Sequence, residues 1–274
     1  MPKNRPAGWT PAFAALVALG IALAFGCRSS EPPQETTPAV SRLPGDDAAD
    51  EAAEPAPETV ADTESDAAAG DTVEPMVTVD VTLPQPRFKG TPKHIKFGEN
   101  IEKPSTKRRP PPRVPEGADQ NVALRKPVTS SDMAPIIGEL ELVTDGDKEA
   151  LEGSFVELGP MLQHVQIDLG RPCEIHAILL WHYHGEGRVY HDIVVQLADD
   201  PDFISNVRTL YNNDYDNSSG LGLGKDLEYL ETYEGRLIQV GGATGRYLRL
   251  YSNGNTSNEM NHYTEVEVYG KPAS

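Results

Sequence analysis

Cysteine is nearly absent from this chain, whose 274 residues include only Cys27 and Cys173. A small disulfide-stapled fold needs several cysteine pairs, so the sequence excludes that class. If Cys27 carries a modification, Cys173 has no partner within the chain. The folded region must therefore be stabilised by its hydrophobic core, and residues 119–274 are numerous enough to form one.

Basic residues are also scarce, with 24 Lys and Arg against 42 Asp and Glu and a formal net charge of −18. Nucleic-acid binding needs Lys and Arg to neutralise phosphates, so this balance argues against a nucleic-acid partner. The sequence lacks a Gly-x-Ser-x-Gly motif and a distinct pair of catalytic carboxylates. We therefore expect a binding protein rather than an enzyme.

The longest apolar run, Ala12–Phe25, follows Lys3 and Arg5 and precedes Gly26 and Cys27. It is too short for a comfortable membrane span and has the charged start of an export signal. The small residue and thiol that follow it predict a lipoprotein-type signal peptide over residues 1–27, with the lipid on Cys27. A cleaved soluble signal and an uncleaved anchor are the alternatives. All three place the mature chain outside the cytoplasm, and the first predicts a lipoprotein of the cell envelope that contacts the membrane only through its lipid.

Residues 28–118 lack the apolar content of a folded domain. Up to residue 80 they are mostly Ala, Pro, Glu, Asp and Thr, and residues 87–113 are basic and rich in proline. Such a segment buries too little apolar surface to offset its chain entropy, which predicts a disordered linker before a domain at 119–274. One alternative is that the Val77–Val81 run joins the sheet. Another is that the basic part contacts anionic wall or lipid polymers instead of being a solvated linker.

From residue 119 the chain consists of short apolar runs separated by Gly, Asp, Asn and Pro, without a sustained helical period. The candidate strands are Asn121–Leu124, Ser154–Leu158, His164–Leu169, Ala177–His182, Ile193–Ala198, Arg236–Val240, Tyr247–Tyr251 and Thr264–Tyr269. Alternation in the last strand places Val266 and Val268 inward, and Glu265, Glu267 and Tyr269 on the opposite face. This pattern predicts an all-β antiparallel sandwich.

Five sequence blocks occur in the order found in a known family. The blocks are Asn121–Ser131, Thr144–Asp147, Gln166–Gly170, Arg246–Leu250 and Thr264–Gly270. In this order they resemble the discoidin domain, the coagulation factor 5/8 type C family that includes the family 32 carbohydrate-binding modules. The resemblance implies an eight-stranded antiparallel jelly-roll β-sandwich of the galactose-binding type. The chain departs from the family at Lys148–Gly153, where many relatives carry a buried Trp.

The resemblance also implies where a sugar would bind. In the related modules, the strand end and loop that correspond to residues 181–191 supply side chains that grip hydroxyl groups. The expected ligand contacts are His182, His184, Arg188, Asn255, Asn261 and His262. The alternative is that the histidines are satisfied structural groups, and Trp181 is expected in the core. A third possibility is a transition-metal site, in which His191 or His262 would join the His-x-His pair.

A structural calcium ion is the cofactor that the resemblance implies. The side chains of Asp145, Asp147 and Glu265 would bind it, and the backbone carbonyls of Leu142, Ala150 and Thr264 would complete the shell. The alternative is a plain Asp-Gly turn with Glu265 solvated.

A second acidic segment, residues 212–220, has oxygen-bearing side chains at alternate positions. It lacks a Glu twelve residues after Asp214, which excludes an EF-hand, and we expect a long ordered turn that lines the binding rim.

These observations predict a non-enzymatic carbohydrate-binding module on the cell envelope, whose partner is a glycan or glycoconjugate. One alternative is adhesion to a protein or lipid through the apolar loop Met133–Ile137. The other is a structural accessory of an envelope assembly, with a protein partner and no ligand.

Overall fold

A computed structural model describes residues 74–274, which lie within one compact unit. The expected signal peptide, the lipidation site Cys27 and linker residues 28–73 lie outside the described residues. The strands are β1 Met76–Thr78, β2 Arg113–Pro115, β3 Gln120–Asn121, β4 Val128–Ser130, β5 Val156–Leu158, β6 Gln163–Trp181, β7 Val194–Ala198, β8 Arg208–Asn212, β9 Arg236–Ser252, β10 Asn261–Tyr263 and β11 Glu265–Pro272, with a 3-10 helix at Leu140–Thr144. Within residues 74–274, no helix is long and apolar enough to cross a membrane.

The long strands β6 and β9 each contribute to two sheet regions, because their pairing is interrupted between Asp168 and Cys173. The first half of β6 pairs with β4 and with the second half of β9, which continues to β7 and β8. The second half of β6 pairs with the first half of β9 and with β11, which continues to β3. All these pairings are antiparallel.

The inner faces of the two regions share one hydrophobic core. Val165 and Ile167 from the first region and Val266 and Val268 from the second are fully buried in the same cluster. The prediction of an all-β antiparallel sandwich is therefore confirmed. Residues 74–274 contain eleven strands rather than eight because several short segments, among them β1 and β2, also pair.

Residues 74–118, which we call the belt, cover the outer face of the second sheet region. Val79, Val114 and Ala118 of the belt are buried in a cluster with Leu179 and Trp181 of β6. The prediction of a disordered linker through residue 118 is therefore wrong for the belt. Its few apolar residues alternate along extended chain and are enough to cover one sheet face. The Val77–Val81 run packs on the main sheet and does not join it, since β1 pairs with β2 in a separate two-stranded sheet.

Polar contacts hold the rest of the belt against the domain. The carboxylate of Glu102 forms a 2.7 Å ion pair with Arg236, and Ile101 forms a β-bridge with Glu228. Ile95 and Ile101 are buried against Val189. The belt is therefore attached to the loop that follows β6 as well as to the sheet.

Candidate functional site

The loop that follows β6 contains three of the expected ligand contacts, His182, His184 and Arg188, and its first histidine is fully buried. The Nδ1 atom of His182 lies 3.1 Å from Oε2 of Glu231, and its ring stacks on Tyr190 at 4.3 Å. Burial lowers the pKa of His182 to about 3 and raises the pKa of Glu231 to about 8. Because burial disfavours the charged form of both side chains, the close pair is a buried hydrogen bond rather than an ion pair.

The other two histidines of the expected contact set are also buried. The Nε2 atom of His184 donates to the carbonyl oxygen of Lys148 at 2.8 Å, because a carbonyl can only accept. The Nε2 atom of His262 lies 2.9 Å from a carboxylate oxygen of Glu157. Burial, with Arg188 and His182 nearby, lowers the pKa of His262 to about 3. Both rings are held by protein partners.

The two asparagines of the set stabilise turns. The Asn261 side chain is fully buried and donates to the carbonyl oxygens of Gly159 and Met161, at 2.8 and 2.9 Å. The Asn255 side chain donates to Asn258 and to a backbone carbonyl within its own loop. The predicted contacts therefore do not form an open rim, because the side chains of His182, His184, Asn255, Asn261 and His262 are all buried and hydrogen-bonded to the protein. The second ring nitrogen of each of the three histidines has no partner.

Arg188 is the member of the predicted set that reaches solvent, with 11% of its side chain exposed. Its guanidinium lies over the Tyr183 ring at 4.8 Å and donates to Glu186 at 3.1 Å. Its Nε and Nη1 atoms are buried and have no hydrogen-bond partner. Arg188 therefore keeps unused donor capacity beside an aromatic ring.

Two other groups bear on the metal predictions. Within residues 74–274, one set of three ligating side chains has its ligand atoms within 4.8 Å of one another. Its members are Asp192, Asp214 and Asp216 and not the histidines. The carboxylate of Asp214 accepts hydrogen bonds from Ser218 and Ser219, so this acidic loop is held together by the chain's own donors.

The open feature at this end of the domain is a groove of about 400 Å³, which we call the loop-end groove. The belt forms one wall and the loop after β6 forms the other. The lining residues are Phe88, Lys89, Gly90, Thr91, Pro92, His94, Gly185, Glu186, Gly187 and Ser257. The belt residues were not predicted as site residues, although an aromatic side chain in a proline-rich basic segment was a signal that the segment packs.

One of the expected calcium ligands, Glu265, lies against the Asp-Gly turn. Glu265 is buried, its Oε2 accepts from the backbone N–H of Gly146 at 3.1 Å, and its Oε1 has no partner. Burial raises the pKa of Glu265 to about 9. The nearby Glu267 is by contrast satisfied, since Lys148 and Tyr269 both donate to it at 2.7 Å. An unpaired carboxylate oxygen against the Asp-Gly turn fits a hard cation.

Asp147 is less available than the resemblance implies. Its Oδ1 accepts from the backbone N–H of Glu149 and its Oδ2 accepts from Ser154, each at 2.9 Å. The carboxylate of Asp147 therefore stabilises the turn. Thr264 directly precedes Glu265, and its buried Oγ1 atom has no hydrogen-bond partner.

No protein-family model and no curated protein matches the chain. A solved family 32 carbohydrate-binding module of AlyQ, in complex with 4,5-unsaturated mannuronic acid, is 21% identical with a TM-score of 0.39, covering 52% of this chain and 93% of its own. A chitosan-binding module from a chitosanase/glucanase of Paenibacillus sp. IK-5 is 19% identical with a TM-score of 0.41, and the match covers 55% of this chain and 99% of that module. A fucose-binding module of Streptococcus pneumoniae is 17% identical with a TM-score of 0.39, and the match covers 55% of this chain and 97% of that module. These modules are carbohydrate-binding modules, the class that the sequence resembles, and their structural similarity to this chain is low.

Proposed function

We propose that residues 74–274 form a non-enzymatic carbohydrate-binding module, and that the loop-end groove is its binding site. The observation that carries the proposal is the groove itself, which combines the Phe88 ring with the donors of Lys89, Thr91 and Ser257. A flat ring stacks on the apolar face of a pyranose, and hydroxyl and ammonium groups bond its hydroxyls. The ordered discoidin-like blocks support the same function.

Arg188 directly follows the groove residue Gly187 and supplies the strongest donor near it. It is the one side chain of the predicted set that is partly exposed rather than buried, which makes it the best suited of them to contact a ligand. A shallow groove offers few contacts to offset the ordering of the sugar, so the affinity for a single site is about micromolar to millimolar.

A glycan array followed by calorimetry on residues 74–274 tests this function. Phe88→Ala and Arg188→Ala should each weaken binding of the array's best ligand about tenfold or more while the protein remains folded. The matched control is Arg171→Ala, an exposed arginine between the two halves of β6. An array with no bound glycan, or binding that survives both groove variants, would contradict the proposal.

We further propose display on the cell envelope through a lipid on Cys27. Support comes from the sequence alone, namely the charged start, the apolar run and Gly26 before the thiol. Cys27→Ser should abolish acyl labelling and leave the precursor unprocessed, because the thiol is both acceptor and cleavage signal. Normal processing with retained envelope attachment would rule this anchor out.

A structural calcium ion is proposed beside the Asp-Gly turn. Glu265 and Asp145 would hold it with their carboxylates, with backbone carbonyls of Leu142, Ala150 and Thr264 as further oxygen ligands. When bound, the ion would neutralise the buried carboxylate and stabilise the folded state, since the unfolded chain has no such site. The unpartnered Oε1 of Glu265 supports this role.

The exposure of one apolar loop supports adhesion as a second candidate function. Met133 is 98% exposed and Ile136 is 54% exposed. Large apolar side chains exposed together at a loop tip are typical of a contact surface. Met133→Ser with Ile136→Ser should abolish adhesion to isolated envelope proteins and leave glycan binding unchanged. Unchanged adhesion in that variant would exclude this surface.

A further inference from the structure

We propose that the belt makes the loop-end groove selective for acidic glycans, that is, for polysaccharides whose sugars carry carboxylates. This inference rests on the proposed carbohydrate-binding function and names its substrate class. It assigns a binding role to the belt in addition to its structural one.

The first step of the argument is that the belt is one wall of the groove and is held in place there. Pro92 packs on Gly187 so closely that a Cβ on the glycine would clash with the proline ring. Three residues further along the belt, Ile95 is buried against Val189. These two contacts on either side of Arg188 fix the belt against the loop, so the groove is a formed feature with two walls.

The second step is the charge that the belt brings. The domain is acidic overall, yet residues 87–113 are strongly basic. Lys89 and His94 line the groove, and both residues are exposed. Glu186 is the acidic residue of the lining, and its carboxylate is already engaged by Arg188 at 3.1 Å. A ligand in the groove therefore meets unneutralised positive charge on the belt side.

The third step concerns the kind of anion. The Phe88 ring and the Ser257 hydroxyl that share this lining suit a sugar ring, while a bare phosphate chain would leave the aromatic face unused. A sugar carboxylate satisfies both features, because its ring can stack while its charge pairs with Lys89. The combination favours a uronic-acid polymer over a simple polyanion.

The test compares polygalacturonate with the same polymer after chemical reduction of its carboxylates, which is a neutral matched ligand. Calorimetry on residues 74–274 should show at least about fivefold tighter binding of polygalacturonate at low salt, with the difference shrinking as salt rises. Lys89→Gln should reduce that preference to near unity, because it should lower the affinity for polygalacturonate several times more than the affinity for the reduced polymer. Lys103→Gln, an exposed belt lysine outside the groove lining, is the control and should change neither affinity.

Equal binding of the two polymers would overturn the acidic preference and leave the carbohydrate-binding function standing. Polyphosphate that binds as tightly as polygalacturonate would also overturn it, because charge alone would then explain the binding. A Lys89→Gln variant with an intact preference would place the selectivity elsewhere. Absence of binding to every glycan of the array is a distinct result, since it contradicts the proposed function itself.

Discussion

Arg109 and Glu234 are joined by two hydrogen bonds that tie the belt to the domain. The backbone N–H of Arg109 donates to the Glu234 carboxylate at 2.7 Å, and its Nη2 donates to the Glu234 carbonyl oxygen at 2.7 Å. Glu234 precedes Gly235, where the backbone passes directly over the Trp181 ring. One contact therefore connects the belt, the turn before β9 and the buried tryptophan.

Truncation should show that the belt is part of the folded unit. Residues 119–274 alone should melt well below residues 74–274, because removal of the belt exposes the cluster around Trp181 and Leu179. Thermal unfolding followed by circular dichroism measures the difference. Equal melting temperatures for the two fragments would contradict the packing of the belt.

A single substitution also tests the packing of the belt against the sheet. Val114 is fully buried, so Val114→Ala should destabilise the protein by about 2 kcal/mol through lost burial and a residual cavity. Val207 is 40% exposed, and Val207→Ala should change the free energy of unfolding by less than about 0.5 kcal/mol. Urea denaturation of both variants measures the two values, and an equal effect of the two substitutions would contradict the assignment.

The contact between the belt and the loop after β6 should be weakened by the addition of one methyl group at Gly187. Gly187→Ala should displace Pro92 and increase proteolytic cleavage within residues 88–96, because a Cβ has no room there. Gly98→Ala is the matched control in the belt, since nothing lies within 4 Å of its Cβ position and its φ is not positive. Limited proteolysis with mass spectrometry should distinguish them, and identical cleavage patterns would show that the belt does not rest on Gly187.

Calcium should stabilise the protein increasingly as pH rises. Without the ion, the pKa of Glu265 is raised from 4.5 to about 9, so its contribution to stability is complete below pH 4.5 and is lost as pH rises toward 9. Calcium binds the ionised form, so the rise in melting temperature that it causes should be larger at pH 8 than at pH 5. Calorimetric scans with calcium and with chelator measure this.

Glu265→Gln should remove the calcium effect, while Glu259→Gln, an exposed glutamate, should preserve it. A calcium-dependent shift that survives Glu265→Gln, or no shift at any pH in the unsubstituted protein, would exclude an ion at this turn.

The buried His182–Glu231 pair should give stability a broad optimum at mildly acidic pH. The raised pKa of Glu231 means that stability is lost as pH rises from 4.5 toward 8, and the lowered pKa of His182 means that it is lost as pH falls from 6.5 toward 3. Melting temperatures in saturating calcium, between pH 4 and 9, should show both declines. Glu231→Gln should reduce the fall in melting temperature at alkaline pH. An unchanged fall in this variant would show that another group causes it.

The sheet and its inner core were predictable because the alternation of apolar residues follows directly from strand geometry. Val266 and Val268 are inward as predicted, and Trp181 is buried as predicted, in the cluster that the belt covers. The opposite face was predicted to be polar, and Glu265, Glu267 and Tyr269 do point there, yet all three are buried. The alternation gives the face of each residue, but it does not reveal that a segment distant in sequence covers that face.

The site was less predictable for a similar reason. His182, His184 and His262 were identified as polar groups of one region, which is correct, but their burial depends on partners such as Glu157 and Glu231 that no local pattern connects to them. Arg188 was included in the predicted set because it belongs to the same sequence segment as His182 and His184. The belt wall of the groove was hidden by a composition that resembles a disordered linker.

Chemical-shift mapping tests the central claim most directly. Isotope-labelled residues 74–274, titrated with the best glycan from the array, should show amide shift changes concentrated at residues 88–94, 185–188 and 257 on both walls of the groove. Shift changes confined to the Met133–Ile137 loop, or changes on the loop wall with none on the belt, would contradict the account.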